Sequence, residues 1–202
     1  MKEMIDKGWA TWKGFSRKQR IIILSVKGIV LVGLLLLLIL FPGNSSPRIE
    51  LLPYNSNQGG FTINAPDGVM QMTQEKFVFL GNALTKYTHL AKLPEGSFSV
   101  THFDMPPGVI TPSERNNILN LLAAEFVAPV QGFVGTTAEA TVQGYAGISI
   151  AATGIVDEKE MFAEGIILPV ANRVYIAGVY AEKGMISQKK VKAFLESLTF
   201  NF

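Results

Sequence analysis

The stretch Ala146–Tyr180, AGISIAATGIVDEKEMFAEGIILPVANRVYIAGVY, decides the fold of this chain. Its residues repeat with a period of two through Ala146 to Val156, Met161 to Pro169 and Arg173 to Tyr180, the period at which a pleated strand turns successive side chains to opposite faces. The runs are interrupted by Asp157-Glu158-Lys159-Glu160 and by Ala171-Asn172, residues suited to tight turns. Short connections of this kind join antiparallel neighbours, because a parallel pair needs a crossover of a dozen residues or so. Glycines at 144, 147, 154, 165 and 178 fall where turns, bulges or close backbone contacts are expected.

Upstream, Thr111-Pro112-Ser113-Glu114 supplies an N-cap, a proline at the first helical position and a glutamate at the third. Ile118, Leu121, Leu122 and Phe126 follow at helical spacing, so this helix faces a sheet until Pro129 stops it. Before it, Phe61–Ala65, Met70–Leu80, Leu84–Leu93 and Phe98–Asp104 read as four strands of an antiparallel meander. Their turns are Pro66-Asp67-Gly68, Gly81-Asn82 and Pro94-Glu95-Gly96. Downstream, Ser187 caps a second helix in which Val191, Phe194, Leu195 and Leu198 line one face. The expected class is α+β: an antiparallel sheet of about seven strands packed with two principal helices.

Three phrases carry a resemblance. They are Gly60-Phe61-Thr62-Ile63-Asn64-Ala65-Pro66, then Gly144-Tyr145-Ala146-Gly147, and last Ala171-Asn172-Arg173-Val174-Tyr175-Ile176 followed by Phe194-Leu195-Glu196-Ser197-Leu198-Thr199-Phe200. In that order they resemble the PsbP-like fold, named for the lumenal accessory protein of photosystem II, over residues 59–202. The resemblance implies a non-enzymatic α/β sandwich serving as an accessory or assembly subunit beside a larger membrane complex. Photosynthetic reaction-centre or other electron-transfer complexes are the first partners it suggests. A membrane anchor would set this chain apart from photosystem II's own subunit.

That anchor is read from Ile21–Phe41, IIILSVKGIVLVGLLLLLILF, which as a helix spans about 31 Å and matches the hydrocarbon core of a bilayer. Its single charge, Lys27, is near enough to one end to lift its ammonium to the headgroups. The run is longer than the core of a cleaved leader, and FPGNSSP after it is a poor cleavage site, so a retained anchor is expected. Residues 1–20 hold Lys2, Lys7, Lys13, Arg17, Lys18 and Arg20 against Glu3 and Asp6, whereas the chain after Phe41 holds 11 basic and 14 acidic residues. Positive charge beside the span marks the side that is not translocated. The organisation expected is therefore a cytoplasmic basic segment (1–20), a transmembrane helix (21–41), a linker (42–58) and a periplasmic or lumenal domain (59–202). The membrane would be an inner, thylakoid or intracytoplasmic one.

Trp9, Trp12 and Phe15 interleave with the basic residues, Arg17, Lys18 and Arg20 among them, as in a helix lying in the headgroup layer or docking on a neighbouring subunit. The chain has no cysteine, which excludes disulfides, thiol catalysis and thiolate metal sites. His89 and His102 are its two imidazoles; they fall on adjacent strands of the meander, with Asp104 on the face of His102. Two histidines without closely spaced partners are more often packed residues than ligands, so neither a metal nor a cofactor is expected. Gly132-Phe133-Val134-Gly135 and Gly59-Gly60 lack the lysine and hydroxyl of a phosphate loop. Ser149 has no nucleophile-elbow context. A slightly acidic domain does not fit nucleic acid, and catalysis is not expected. The competing expectation is a membrane-anchored module holding a ligand between sheet and helix, although no small-molecule ligand is called for by any motif.

Overall fold

The computed structural model of the chain describes residues 49–201. The basic segment with Trp9, Trp12, Phe15, Arg17, Lys18 and Arg20, the 21–41 span with Lys27, and residues 42–48 of the linker lie outside them. Among the described residues, no helix is long and apolar enough to cross a membrane.

Where Leu51–Ser56 had read as linker, the chain forms a strand, β1, that pairs antiparallel with β2, Phe61–Pro66. Pro53 is tolerated there because β1 is the edge of its sheet and need not donate on its outer side. A third strand, β10 at Thr199–Phe200, pairs with the other side of β2. These three form a sheet of their own, in the order β1-β2-β10.

The remaining strands build a seven-stranded antiparallel sheet. They are β3 (Gln71–Phe79), β4 (Asn82–Leu93), β5 (Gly96–Asp104), β6 (Phe133–Val142), β7 (Tyr145–Val156), β8 (Lys159–Val170) and β9 (Arg173–Glu182), in the order β3-β4-β5-β9-β8-β7-β6. The meander is therefore three strands, not four, because Phe61–Pro66 leaves it for the small sheet. The seventh place goes to Phe133–Val142, whose polar, small-residue run hides its alternation. The first hairpin turns at Leu80-Gly81, one residue earlier than expected, with both residues at positive φ (50° and 75°). Asn82 opens β4 instead, its side-chain amide donating to Leu80 O at 3.0 Å.

Helix α1 spans Arg115–Val127, starting later than its sequence signals. The Thr111 hydroxyl still works as a cap, accepting the Glu114 N–H at 3.3 Å, but it closes a turn that precedes the helix. A short 3-10 turn, Ala128–Val130, carries Pro129 and ends the segment. Helix α2 spans Gln188–Leu195; Ser187 has the extended backbone of an N-cap but makes no side-chain capping bond.

Each face of the large sheet has its own core. On one, α1 lays Ile118, Leu122 and Phe126 over Phe103, Ile150, Ile167 and Val174. On the other, α2 and the small sheet cover Phe98, Val100, Leu168, Tyr175 and Val179 with Phe61, Ile63, Val191 and Phe194.

Candidate functional site

The strand register brings the two histidines together. His102 on β5 lies opposite Tyr87 on β4, and His89 lies two residues along β4, so both imidazoles point from the same face of the sheet toward β1 and β2. Their Nε2 atoms are 3.4 Å apart and both residues are 1 % exposed. Phe61 meets both rings edge-on, and Tyr87 stacks on His102 at 5.2 Å with 18° between planes.

Two residues of the small sheet reach the pair from strand β1. Tyr54 Oη is 2.9 Å from His89 Nδ1, and Ser56 Oγ is 3.3 Å from His89 Nε2. Ser56 Oγ already accepts the Gly59 N–H at 2.9 Å, which leaves its hydroxyl hydrogen to donate to the imidazole. With Nε2 as its acceptor, His89 carries its proton on Nδ1 and donates to Tyr54 Oη. His102 then donates from Nε2 to His89. Its own Nδ1, buried without a partner, is left as a bare lone pair. The opposite tautomers would bury an orphan N–H, the rarer and costlier defect.

Both imidazoles are held neutral. Burial pushes the His89 pKa below its usual value. It pushes His102 down to about 4, helped by the Arg173 guanidinium and by His89 and opposed by Asp104. Asp104 shares the face of His102 as expected, but its partner is Arg173 on β9, which donates Nε at 2.6 Å to Oδ1 and Nη2 at 2.8 Å to Oδ2. Those bonds hold the Asp104 carboxyl below the usual range. Arg173 also donates to the carbonyls of Gln58 and Gly59 at 3.3 Å, and Tyr175 O–H donates to Gly59 O at 2.6 Å. Gly59 must be glycine, because a Cβ there would lie 2.4 Å from the Phe61 ring. The cluster is a polar seam that fastens the β1–β2 hairpin to the large sheet.

This geometry gives the seam little chemistry to perform. A general base must reach its substrate's proton, and both imidazoles are sealed beneath Tyr54 and Phe61. Among the described residues, no three His, Asp or Glu side chains gather as metal ligands, and the two facing Nε2 atoms already share a proton. Asp157 and Glu158, at φ 49° and 65°, form the tip of the β7–β8 hairpin. Lys159–Glu182 (2.8 Å) and Lys183–Glu160 (2.6 Å) pair exposed charges beside it. Ser149 Oγ donates to Ala138 O within the sheet. The sequence gives no sign of the seam roles of Tyr54, Ser56 and Arg173; Arg173 reads there as the start of a strand, and the first two fall in the expected linker, where the alternation of Leu52, Tyr54 and Ser56 is the signal of a strand.

No known protein family and no curated protein matches the chain. Solved structures do. A protein from Bacteroides thetaiotaomicron VPI-5482 matches with 10% identity and TM-score 0.46 over 74% of this chain, which spans about half (48%) of that protein. A Pseudomonas aeruginosa protein of unknown function, PA94, described as a putative regulator, matches at 12% identity and TM-score 0.36, covering 67% of this chain and 85% of its own. The solution structure of cyanobacterial PsbP (CyanoP) from Synechocystis sp. PCC 6803 aligns over 77% of this chain and 95% of its own, with TM-score 0.51 and 10% identity. At that identity the likeness speaks to architecture alone, and the architecture of residues 49–201 is PsbP-like: an antiparallel sheet with two helices and a small second sheet.

Proposed function

We propose that this chain is a non-enzymatic accessory subunit of a larger membrane complex, tethered by residues 21–41 with its domain on the periplasmic or lumenal side. The observation that carries the reading is the PsbP-like fold joined in one chain to an apolar run of bilayer length. The buried, neutral histidine pair supports the non-enzymatic part, since the chain's two imidazoles are spent on holding two sheets together. Anchoring confines the domain to a plane and raises its effective concentration, so a modest domain interface stays occupied. A photosynthetic or other electron-transfer complex is the first partner to test, by analogy with cyanobacterial PsbP. Native purification in mild detergent followed by mass spectrometry is the test. Recovery with stoichiometric integral-membrane subunits is expected, and a chain that purifies alone, or from the aqueous fraction, would refute the proposal.

A further inference from the structure

The β4–β5 hairpin holds a charge that nothing in the fold answers. Leu93 pairs with Gly96, so Pro94-Glu95 is the two-residue turn between the strands. Gly96 lets that turn sit close against β9, since a Cβ there would lie 2.4 Å from the Tyr180 carbonyl oxygen, a backbone atom that cannot give way. Glu95 is 7 % exposed, yet its carboxylate has neither a hydrogen bond nor an ion pair. Its oxygens are not sealed in, either. Among the described residues, His102 Nδ1 is the one fully enclosed side-chain nitrogen or oxygen without a partner, so the Glu95 carboxylate opens onto the space that this residue lines. That space is a cavity of about 440 Å³ between the turn and the β7–β8 hairpin. Leu93, Val156 and Met161 supply its apolar lining. Neither of its two lysines neutralises Glu95: Lys159 is committed to Glu182 at 2.8 Å, and Lys92 is exposed and makes no ion pair. Asp157 adds a further acid to the lining.

From this geometry we infer that the cavity binds an organic cation, a primary ammonium carried on an apolar stem, with Glu95 as its counter-ion. A buried carboxylate without a partner destabilises the fold, and a cation that reaches it offsets that cost. An ammonium does so by donating a charge-assisted hydrogen bond to Glu95, while its stem lies against Leu93, Val156 and Met161. Asp157 strengthens the attraction for positive charge. A bare metal ion is not served, because among the described residues no three carboxylate or imidazole side chains converge as ligands. The ammonium has two sources, a free amine or a lysine side chain of another protein, and the contact with Glu95 is the same for both. The cavity belongs to the folded domain and not to the anchor, so its success or failure is separate from that of the accessory-subunit reading.

Saturation-transfer NMR on the full-length protein in detergent tests the site with butylammonium, and with butanol and butyrate as probes of the same stem. Butylammonium should give transfer that saturates in the millimolar range, and the two controls should not. Glu95→Gln keeps the size of the side chain and removes its charge. It should weaken butylammonium binding at least about tenfold, and it should raise the Tm of the unliganded protein, because the fold no longer buries an unanswered charge. Glu160→Gln, at an exposed ion pair outside the cavity, should leave the binding unchanged. The peptide acetyl-Gly-Lys-Gly-amide separates the two sources: binding at least as tight as that of butylammonium, and lost in Glu95→Gln, assigns the site to a lysine side chain, and weaker binding assigns it to a free amine. An ammonium that in both forms binds no better than butanol would overturn the inference. So would a Glu95→Gln protein that binds it equally, or one that melts below the wild type, the last by showing that the carboxylate serves the fold.

Discussion

The two faces of the large sheet are closed by different means. Under α1 the contact is apolar apart from the Tyr180 hydroxyl, which donates to Phe126 O at 3.1 Å, and it depends on shape: Phe126 lies over Gly165 and Gly178, where an added Cβ would come within 2.5 Å and 2.3 Å of its ring. Under the small sheet the contact is apolar at Phe61, Ile63 and Phe194, but it also contains the His89–His102 pair, Ser56 and the Tyr175 hydroxyl. A shape-based interface responds to volume and ignores pH. A seam of buried neutral imidazoles responds to both, because every proton it takes up must be buried with it.

The largest effect should come from emptying the apolar side. Phe126→Ala removes the ring that fills the space above two glycines and is expected to cost about 3–5 kcal/mol, read as a lower midpoint in urea at every pH. If the loss were confined to acidic conditions, the contrast between the faces would fail.

Next comes acid. His89 and His102 have lowered pKa values in the folded state, so the unfolded chain binds protons first as pH falls. Stability is therefore full above about pH 6.5, the ordinary histidine value, and is lost as pH falls toward the folded value. For His102, whose pKa is about 4, the loss amounts to about 3 kcal/mol across that window. His102→Leu should flatten the slope of stability between pH 7 and 4, leaving Ser56 to serve His89. Equal slopes in the variant and wild type would show that the seam does not titrate. Below about pH 4, Asp104 adds its own loss in the same direction, since its carboxyl is also held below its ordinary value.

A smaller effect is expected from Gly178→Ala, which forces a methyl toward Phe126 and should cost about 1–3 kcal/mol. Combined with Phe126→Ala it should cost less than the sum of the two, since the clash has gone. Additivity would mean that the two sites do not touch. The smallest belongs to Asp104→Asn: its side chain is 61% exposed, so despite two hydrogen bonds from Arg173 it should lower stability by about 1 kcal/mol or less. Salt should shrink that difference further.

The strands legible in the sequence were β2, β3, β4, β5, β7, β8 and β9, runs of alternating or β-forming residues bounded by turn signals, together with α1 and α2, whose apolar residues recur at helical spacing. Those missed share a cause. β1 holds Pro53 and Asn55, β6 holds glycine, threonines and alanines, and β10 is two residues long. None of them buries a regular apolar face, so a pattern that detects burial passes over them. The histidines were seen as neighbours because adjacent strands of a hairpin bring nearby residues together, but their partners on β1 lie more than thirty residues away along the chain. No local signal encodes such a meeting.

Local patterns in the chain suffice for the α+β class, the antiparallel order of β7, β8 and β9, the absence of thiol chemistry and the segregation of apolar length and positive charge near the N-terminus. These are properties of local period and composition. That Phe61–Pro66 leaves the meander, that β6 closes the large sheet, and that His89 and His102 are sealed rather than presented follows from long-range packing. Each of those outcomes depends on which distant surfaces remove most apolar area from water while leaving few polar groups unpaired, a comparison made over the whole folded chain at once.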